Sequence, residues 1–205
     1  MEAKRYYSLE EYLLLNEVTH LEKNCYENPA LVQYIHSLMN IPKKDGYKIL
    51  EIGFGGGHSA NLFLRKNPNN NVISIDDNKL YYYYYGKNYI DEYYPNQHIM
   101  ISGDSEDKLP EFHFNSPDWK FDIIFIDGSN EYNKVKKDLF NCKKVSHSDT
   151  IIILNNYVNI AGWNDNTTIG PTNLWNDALE WDYVIEMGRK ISGKGKGFVY
   201  GKYRL

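Results

Sequence analysis

Cysteine is scarce in this sequence, and long apolar runs are missing. The two cysteines, Cys25 and Cys142, are too few for a disulfide scaffold and lack the spacing of metal ligands. No apolar run approaches the roughly 20 residues that a membrane helix needs. The first residues also lack the apolar core of a signal peptide. We therefore expect a cytoplasmic protein with no membrane partner.

The chain also lacks an excess of positive charge. Lysine and arginine total 23 against 27 acidic residues, which gives a formal net charge of −4. General nucleic-acid binders depend on a basic surface, so we expect no nucleic-acid partner. The lysines between Tyr132 and Val145 are predicted to form the solvated face of a helix.

The remaining composition predicts one globular domain. Hydrophobic residues make up 42% of the 205 residues and charged residues 24%. Tyrosine, with 19 residues, is abundant together with Asn, Ile and Lys. Because the codons of these four residues are AT-rich, we suspect a virus- or protist-encoded protein.

Apolar segments alternate with helical patterns along most of the chain. We predict strands at 49–52, 72–75, 98–101, 121–126, 150–154, 182–191 and 197–203. Predicted helices include 59–66, one positioned by an acidic cap before the tyrosine run 81–85, a short one ending near 110–112, one capped by Ser129 or Asn130, and 173–181. This alternation predicts an α/β fold, a Rossmann-like doubly wound seven-stranded sheet. It should be mostly parallel with a C-terminal antiparallel hairpin and have helices on both faces.

Two helices are predicted before the first strand. The capping box Ser8-x-x-Glu11 opens a helix over 9–21, and Asn28-Pro29 opens a second one that ends at Met39. We expect residues 1–46 to be a helical lid or cover, a dimer element, or simply the cover of one sheet edge. We expect residues 47–205 to form the Rossmann-like core of a single domain that comprises residues 1–205.

A glycine-rich turn follows the first predicted strand. Its spacing is Glu51-x-Gly53-x-Gly55-x-Gly57-His58-Ser59. Glycine lets the chain turn sharply and lets backbone N–H groups approach a ligand closely. The dinucleotide fingerprint needs a glycine where His58 stands, so a nicotinamide dehydrogenase is excluded by this spacing.

Polar residues follow each of the first five predicted strands. They are Gly53-Phe54-Gly55, Asp76-Asp77, Asp104-Ser105, Asp127-Gly128 and Asn155-Asn156. In doubly wound sheets, ligands bind beyond the carboxyl ends of the strands. This regular placement predicts a cofactor site at that edge.

These motifs resemble those of class I S-adenosylmethionine (SAM) methyltransferases. Glu51 to Gly57 is similar to their motif I. The segment Asp127-Gly128-Ser129-Asn130-Glu131-Tyr132 resembles the Ile-Asp-Gly-Asp-His-x-Tyr signature of small-molecule O-methyltransferases. That group includes macrocin-type sugar enzymes and is related to catechol O-methyltransferase. The similarity covers about residues 48–157, and 197–203 resembles the family's last strand.

The resemblance implies a role for each strand end. The glycines would lie against the methionine part of SAM, with Ser59 bonding its carboxylate and His58 packing nearby. Asp76, or else Asp77, would accept bonds from the ribose diol, and Asp104 and Ser105 would meet the adenine. For each aspartate, helix capping is the alternative. The predicted cofactor-binding set is Glu51, Gly53, Phe54, Gly55, Gly57, His58, Ser59, Asp76, Asp77, Asp104, Ser105 and Asp127.

In relatives an Asp at the place of Asp127 binds a divalent metal together with an acidic pair at the place of Asn155-Asn156. The implied site here is Asp127, Asn155 and Asn156, for Mg²⁺ or another divalent cation. Two amides and one carboxylate carry less charge than Mg²⁺ usually recruits, so this site stays open.

The catalytic base is also left open. Relatives place a His or Lys where Asn130 stands, and an amide cannot take a proton. The catalytic residue is then Asp127, or the base comes from elsewhere, for example from His20, His36 or Asp165.

The function implied is methyl transfer to a hydroxyl of a small-molecule acceptor, possibly a sugar. Tyr157, Trp163 and Trp175 are candidates for a stacking surface, with core packing as the alternative. A second hypothesis is a SAM-binding protein that has lost transfer, which Asn130 and Asn155 favour. A homodimer is a further expectation.

Overall fold

A single mixed sheet organises the protein, and its strand order confirms the predicted fold class. The computed structural model describes residues 7–21, 24–158, 166–191 and 196–205. The strands in these ranges are β1 (Lys48–Ile52), β2 (Asn71–Asp76), β3 (His98–Ser102), β4 (Phe121–Ile126), β5 (Ser146–Tyr157), β6 (Val184–Ile191) and β7 (Gly197–Tyr203). Their order is β3-β2-β1-β4-β5-β7-β6. The first five strands are parallel, and β7 is antiparallel to β5 and β6.

Helices cover both faces of this sheet, as predicted. They are α1 (Leu9–Leu15), α2 (Pro29–Met39), α3 (His58–Leu64), α4 (Tyr83–Tyr93), α5 (Ser105–Asn115), α6 (Tyr132–Lys144) and α7 (Ile169–Glu180). The first four pack on one face and the last three on the other. Each face of the sheet has its own hydrophobic core, and successive β1 residues point to opposite faces. Ile49 packs in the core under the first four helices and Leu50 in the core under the last three.

The topology creates a switch point at the carboxyl end of β1. From β1 the chain moves outward to β2 and β3 and then returns to β4 on the other side of β1. Two backbone bonds continue beyond the strands, from Gly53 N–H to the Ile75 carbonyl and from Asp127 N–H to the Ile52 carbonyl, both 2.9 Å long. The turns after β1 and β4 are therefore held together where such sheets bind ligands.

The first helix is shorter than predicted. Its capping box between Ser8 and Glu11 is confirmed, but α1 ends at Leu15 rather than at residue 21. Glu17 adopts a φ of 62°, and Val18 N–H donates to the Leu13 carbonyl at 3.0 Å. This is a Schellman closure, which stops the helix.

Two helix boundaries were predicted wrongly near acidic residues. α4 has Tyr82 at its N-cap with no side-chain cap bond, so no acidic residue positions it. α6 likewise begins after Glu131, not after a capping Ser129 or Asn130. The tyrosine run is divided as expected, with Tyr82 buried and Tyr81 exposed.

Other elements are longer than their sequence patterns indicated. α5 continues through Pro110 to Asn115, so the proline does not end this helix. α7 begins at Ile169, and β5 includes Asn155 and Asn156 instead of ending before them.

Two candidates for a stacking surface are buried instead. Trp175 is inaccessible to solvent and Tyr157 nearly so, and the Trp175 indole N–H donates to Glu186 at 2.9 Å. Trp163 and Asp165 lie outside the described residues. In the part of the chain that the structure describes, no helix has the length and apolarity to cross a membrane.

Candidate functional site

A cavity of about 350 Å³ lies at the carboxyl ends of the first four strands. The predicted residues that line it are Gly53, Asp76, Asp77, Asp104 and Ser105. Asn130 and Lys134 also line it. The structure thus brings together residues from four separate strand ends, as the sequence predicted.

The glycine turn after β1 depends on backbone conformations that other residues rarely adopt. Gly53, Gly55 and Gly57 have φ values of 91°, 55° and 84°. A Cβ at Gly53 would lie 2.5 Å from the Asp127 carbonyl oxygen, and one at Gly57 would lie 2.9 Å from the Phe54 ring. The turn is therefore glycine-specific for both conformational and steric reasons.

Asp76 holds this turn in place. Its Oδ2 accepts hydrogen bonds from Phe54 N–H at 2.7 Å and Gly55 N–H at 3.2 Å. Its Oδ1 accepts one from Asn78 N–H at 2.7 Å. Asp77 instead forms an ion pair with the exposed Lys79 at 2.7 Å. Of the two, Asp76 is the one that is built into the turn.

Glu51 lies beneath the turn and does not line the cavity. It is completely buried, and it accepts hydrogen bonds from the hydroxyls of Ser59 and, at 2.5 Å, Ser74. Burial raises the pKa of Glu51 to about 8. Because the Ser59 hydroxyl donates its proton to Glu51, a ligand carboxylate would have to be bound by the Ser59 backbone N–H, while the hydroxyl oxygen could still accept a hydrogen bond.

We expect Glu51 to contribute stability that is lost as the pH rises from 4.5 to about 8, the interval between the ordinary and the folded pKa of this carboxyl. In this interval the unfolded chain releases a proton that the folded protein retains, so rising pH favours unfolding. The slope is up to about 1.4 kcal/mol per pH unit. Glu51→Gln should remove this dependence, as measured by urea unfolding at a series of pH values.

Asp138→Asn provides the control for that experiment. Burial raises the pKa of Asp138 to about 7 from 3.8, so its contribution ends at a lower pH. Above pH 7, Glu51→Gln should reduce the slope of the unfolding free energy against pH, and Asp138→Asn should leave it as in the wild type. Equal slopes in the wild type and Glu51→Gln would contradict the prediction.

A second, very small cavity of about 10 Å³ adjoins the first at Gly53. It is lined by the glycine turn, Ser59, Asp127, Cys25 and His58. His58 is 2% exposed, and within the described residues neither of its ring nitrogens has a hydrogen-bond partner. Burial lowers the pKa of His58 to about 4, so the imidazole is neutral at physiological pH.

The N-terminal segment covers this second cavity. A 3₁₀ turn, Cys25–Glu27, places Cys25 in its wall, and the Tyr26 ring packs edge-on against His58 at 5.1 Å. Neither His20 nor His36, the alternative bases, lines either cavity.

Asp104 and Ser105 open α5 at the end of β3. Asp104 caps the helix by accepting a hydrogen bond from Glu106 N–H at 3.0 Å, so the helix-capping alternative is confirmed for this residue. Asp104 also lines the larger cavity. The Ser105 hydroxyl donates to Asp138 Oδ1 at 2.6 Å. Sequence reasoning missed Lys134 and the buried Asp138. Lys134 and Asp138 are four residues apart, and this spacing was the available signal, because it puts both on one side of α6.

Asp127, at the end of β4, is linked through Asn156 to Asn130. The Asn156 Nδ2 donates to Asp127 Oδ1 at 3.2 Å and to Asn130 Oδ1 at 2.9 Å. Asn156 has a φ of 61° and lies at an irregularity in the pairing of β5 with β7, where Asn155 faces Phe198. Within the described residues no three His, Cys, Asp or Glu side chains converge as metal ligands.

A family model described as "Methyltransferase domain" matches residues 50–157, more than half of the chain. The matched segment begins in β1 and ends with β5, so it contains both cavities' strand ends. No curated protein matches this sequence significantly.

Solved structures of methyltransferases are similar to the whole chain. An O-methyltransferase from Bacillus cereus in complex with S-adenosylhomocysteine (SAH) has a TM-score of 0.74 and 21% identity, over 96% of this chain and 90% of the other. The O-methyltransferase TomG from Streptomyces achromogenes, in complex with SAM, has a TM-score of 0.72 and 18% identity, over 99% and 92%. A TDP-rhamnose 3'-O-methyltransferase of calicheamicin biosynthesis has a TM-score of 0.62 and 14% identity, over 96% and 87%. At these identities the matches establish a shared fold.

Proposed function

This chain belongs to the family of methyltransferase domains, and from that premise we propose that it transfers a methyl group from SAM to a hydroxyl oxygen of a small molecule. Membership confirms the resemblance to class I methyltransferases that the sequence motifs indicated. The oxygen acceptor is supported by the O-methyltransferases among the similar structures. Phenols and sugars are the first acceptors to test.

One observation carries the proposal. Four strand ends contribute Gly53, Asp76, Asp104 and Asp127 to two adjoining cavities at the switch point of the sheet. The larger cavity suits the adenosine part of SAM, with the ribose diol at Asp76 and the adenine at Asp104 and Ser105. A carboxylate oxygen accepts more than one hydrogen bond, so Asp76 can hold the turn and the diol together.

The methionine part of SAM would then enter the second cavity beside His58. With about 10 Å³, this cavity has room for roughly one water molecule. Binding therefore requires the Cys25–Glu27 turn to shift, which gives the N-terminal segment the role of a lid. The neutral His58 imidazole would form a hydrogen bond with the methionine part of SAM, which would give a partner to a ring nitrogen that has none among the described residues.

Calorimetric titration with SAH tests cofactor binding, and transfer of a labelled methyl from SAM to a panel of phenols, catechols and sugar nucleotides tests the reaction. Micromolar SAH binding together with turnover of a panel member is the expected result. Absence of SAH binding would refute the proposal.

A SAM-binding protein without transfer is the second candidate. It is favoured by Asn130, which accepts a hydrogen bond from Asn156 and cannot act as a base. SAH binding without turnover of any acceptor would favour this candidate.

Asp76→Ala should weaken SAH binding by about 10- to 100-fold. The substitution removes the proposed diol contact and three backbone hydrogen bonds of the turn, and hydrogen bonds to charged groups contribute about 1.5–3 kcal/mol. Asp77→Ala, which removes an exposed ion pair, should change the Kd less than threefold. Calorimetry on both variants decides, and the opposite ranking would assign the diol to Asp77.

A further inference from the structure

The end of the site where the acceptor would bind contains a carboxylate that is linked to two amides. Asp127 lines the second cavity beside the glycine turn, where the proposed function places the methionine part of SAM, whose sulfur carries the methyl group. The Asn156 amide nitrogen lies between Asp127 and Asn130 and donates to both, at 3.2 and 2.9 Å. We call this arrangement the amide bridge.

The orientation of the amide bridge follows from the chemistry of its members. An ionised carboxylate only accepts hydrogen bonds, so the side of Asn156 that faces Asp127 must be its NH₂ group. Turning Asn156 over would place its oxygen against the Asp127 carboxylate. The donor group of Asn156 therefore points into the space where a metal ligand would have to present an oxygen.

This donor set does not fit the divalent cation that the family resemblance implies. Mg²⁺ and similar cations take oxygen ligands, usually with carboxylates among them. Here the cation would have to displace two hydrogen bonds from Asn156, and it would gain one formal negative charge from Asp127, Asn155 and Asn156 combined. The amide bridge already gives Asp127 Oδ1 a hydrogen-bond donor in place of a cation.

We propose that this protein methylates its acceptor without a divalent cation, and that the amide bridge takes the place of the metal in holding Asp127. The inference rests on the proposed function. An amide positions a carboxylate but is no Lewis acid, so it does not lower the pKa of the acceptor hydroxyl. The acceptor is therefore a hydroxyl that is acidic by itself, of the phenol class, whose ordinary pKa is near 10.

The reaction then balances with the residues in place. The hydroxyl proton passes to the Asp127 carboxylate, and the acceptor oxygen forms a bond to the methyl carbon as the carbon–sulfur bond of SAM breaks. The electron pair of that bond remains on sulfur, which leaves neutral SAH, a methyl ether and protonated Asp127.

The first test measures binding of Mn²⁺ alone to the wild-type protein, by electron paramagnetic resonance and by thermal melting. We expect no binding at micromolar concentration and no shift in Tm. Binding that is lost in Asp127→Asn would overturn the proposal, since it would place a cation at the amide bridge.

The second test restores carboxylates in the variant Asn155→Asp/Asn156→Asp. Aspartate tolerates the left-handed conformation at position 156 better than most residues do. Without metal the added charges should lower Tm, and Mn²⁺ should bind and raise it again. The matched control adds Asp127→Asn and should bind at least tenfold more weakly. If the double variant folds and binds no Mn²⁺, the amides are not what prevents binding, and the inference fails. If it does not fold, Asn156→Asp alone is compared with the wild type.

Titration with SAH in the same samples separates this inference from the proposed function. Loss of the proposed function would appear as absent SAH binding, whatever Mn²⁺ does. Once an acceptor is found, turnover should be unchanged by EDTA and should favour phenols over aliphatic hydroxyls. A turnover that EDTA abolishes and Mg²⁺ restores would contradict the inference even if the titrations agreed with it.

Discussion

Gly53→Ala should reduce SAH affinity at least about 100-fold and lower the free energy of unfolding by about 2–4 kcal/mol. Gly53 has a φ of 91°, where a non-glycine residue carries about 1–3 kcal/mol of strain. Its new Cβ would meet the Asp127 carbonyl oxygen at 2.5 Å. That atom is backbone and cannot rotate away, so β1 and β4 would have to separate at the point where the two cavities meet. Calorimetric titration and urea unfolding measure the two effects.

Gly56→Ala is the matched control in the same turn. Gly56 is not among the glycines with positive φ, and its added Cβ would contact only side chains, the nearest being His58 Cε1 at 3.1 Å. Side chains can adjust by a few tenths of an ångström, so we expect less than a tenfold change in Kd. If the two variants lose the same affinity, the close approach of β1 and β4 is not what shapes the site.

Asp127→Asn should lower kcat by about 100- to 10,000-fold, the range that a general base usually contributes. An asparagine oxygen can still accept from Asn156, so the amide bridge and the fold should be retained. SAH affinity and Tm should therefore stay close to wild type. If Asp127 had only a structural role, its substitution would not lower kcat while leaving cofactor binding unchanged.

Asp104→Asn tests whether that effect belongs to Asp127 alone. Asp104 is also a strand-end carboxylate lining the larger cavity, but it lies at the proposed adenine end, remote from the methyl group. Its substitution should raise the KM for SAM and leave kcat within about threefold. If Asp127→Asn keeps more than a tenth of the wild-type kcat, the proton is taken by another group.

Local sequence signals were sufficient for the sheet and for most of the site. The short apolar runs that became β1 to β4 are bounded by turn residues, which identifies them as strands. β1, β2 and β4 are buried on both faces, whereas β3 is an edge strand in which Ile99 is exposed. The parallel topology then places their carboxyl ends together, which is why Gly53, Asp76, Asp104 and Asp127 were predicted to share one site.

Only the tertiary structure decided what those residues contact. Glu51 was predicted to bind the cofactor, but it is buried beneath the turn and accepts hydrogen bonds from Ser59 and Ser74. These partners lie 8 and 23 residues away, so the local sequence around Glu51 does not identify them. Asp138 was missed for the same reason, since its partner Ser105 lies 33 residues earlier.

The amide bridge shows most clearly which features follow from the sequence and which depend on the tertiary structure. The sequence by itself determined that Asp127, Asn130, Asn155 and Asn156 lie near one edge of the sheet, and that their charge is low for a metal site. The irregular pairing of β5, with a φ of 61° at Asn156, decided which amide turns toward Asp127. A hydrogen bond over 29 residues of chain depends on strand register and backbone rotation, and neither is encoded in the residues around it.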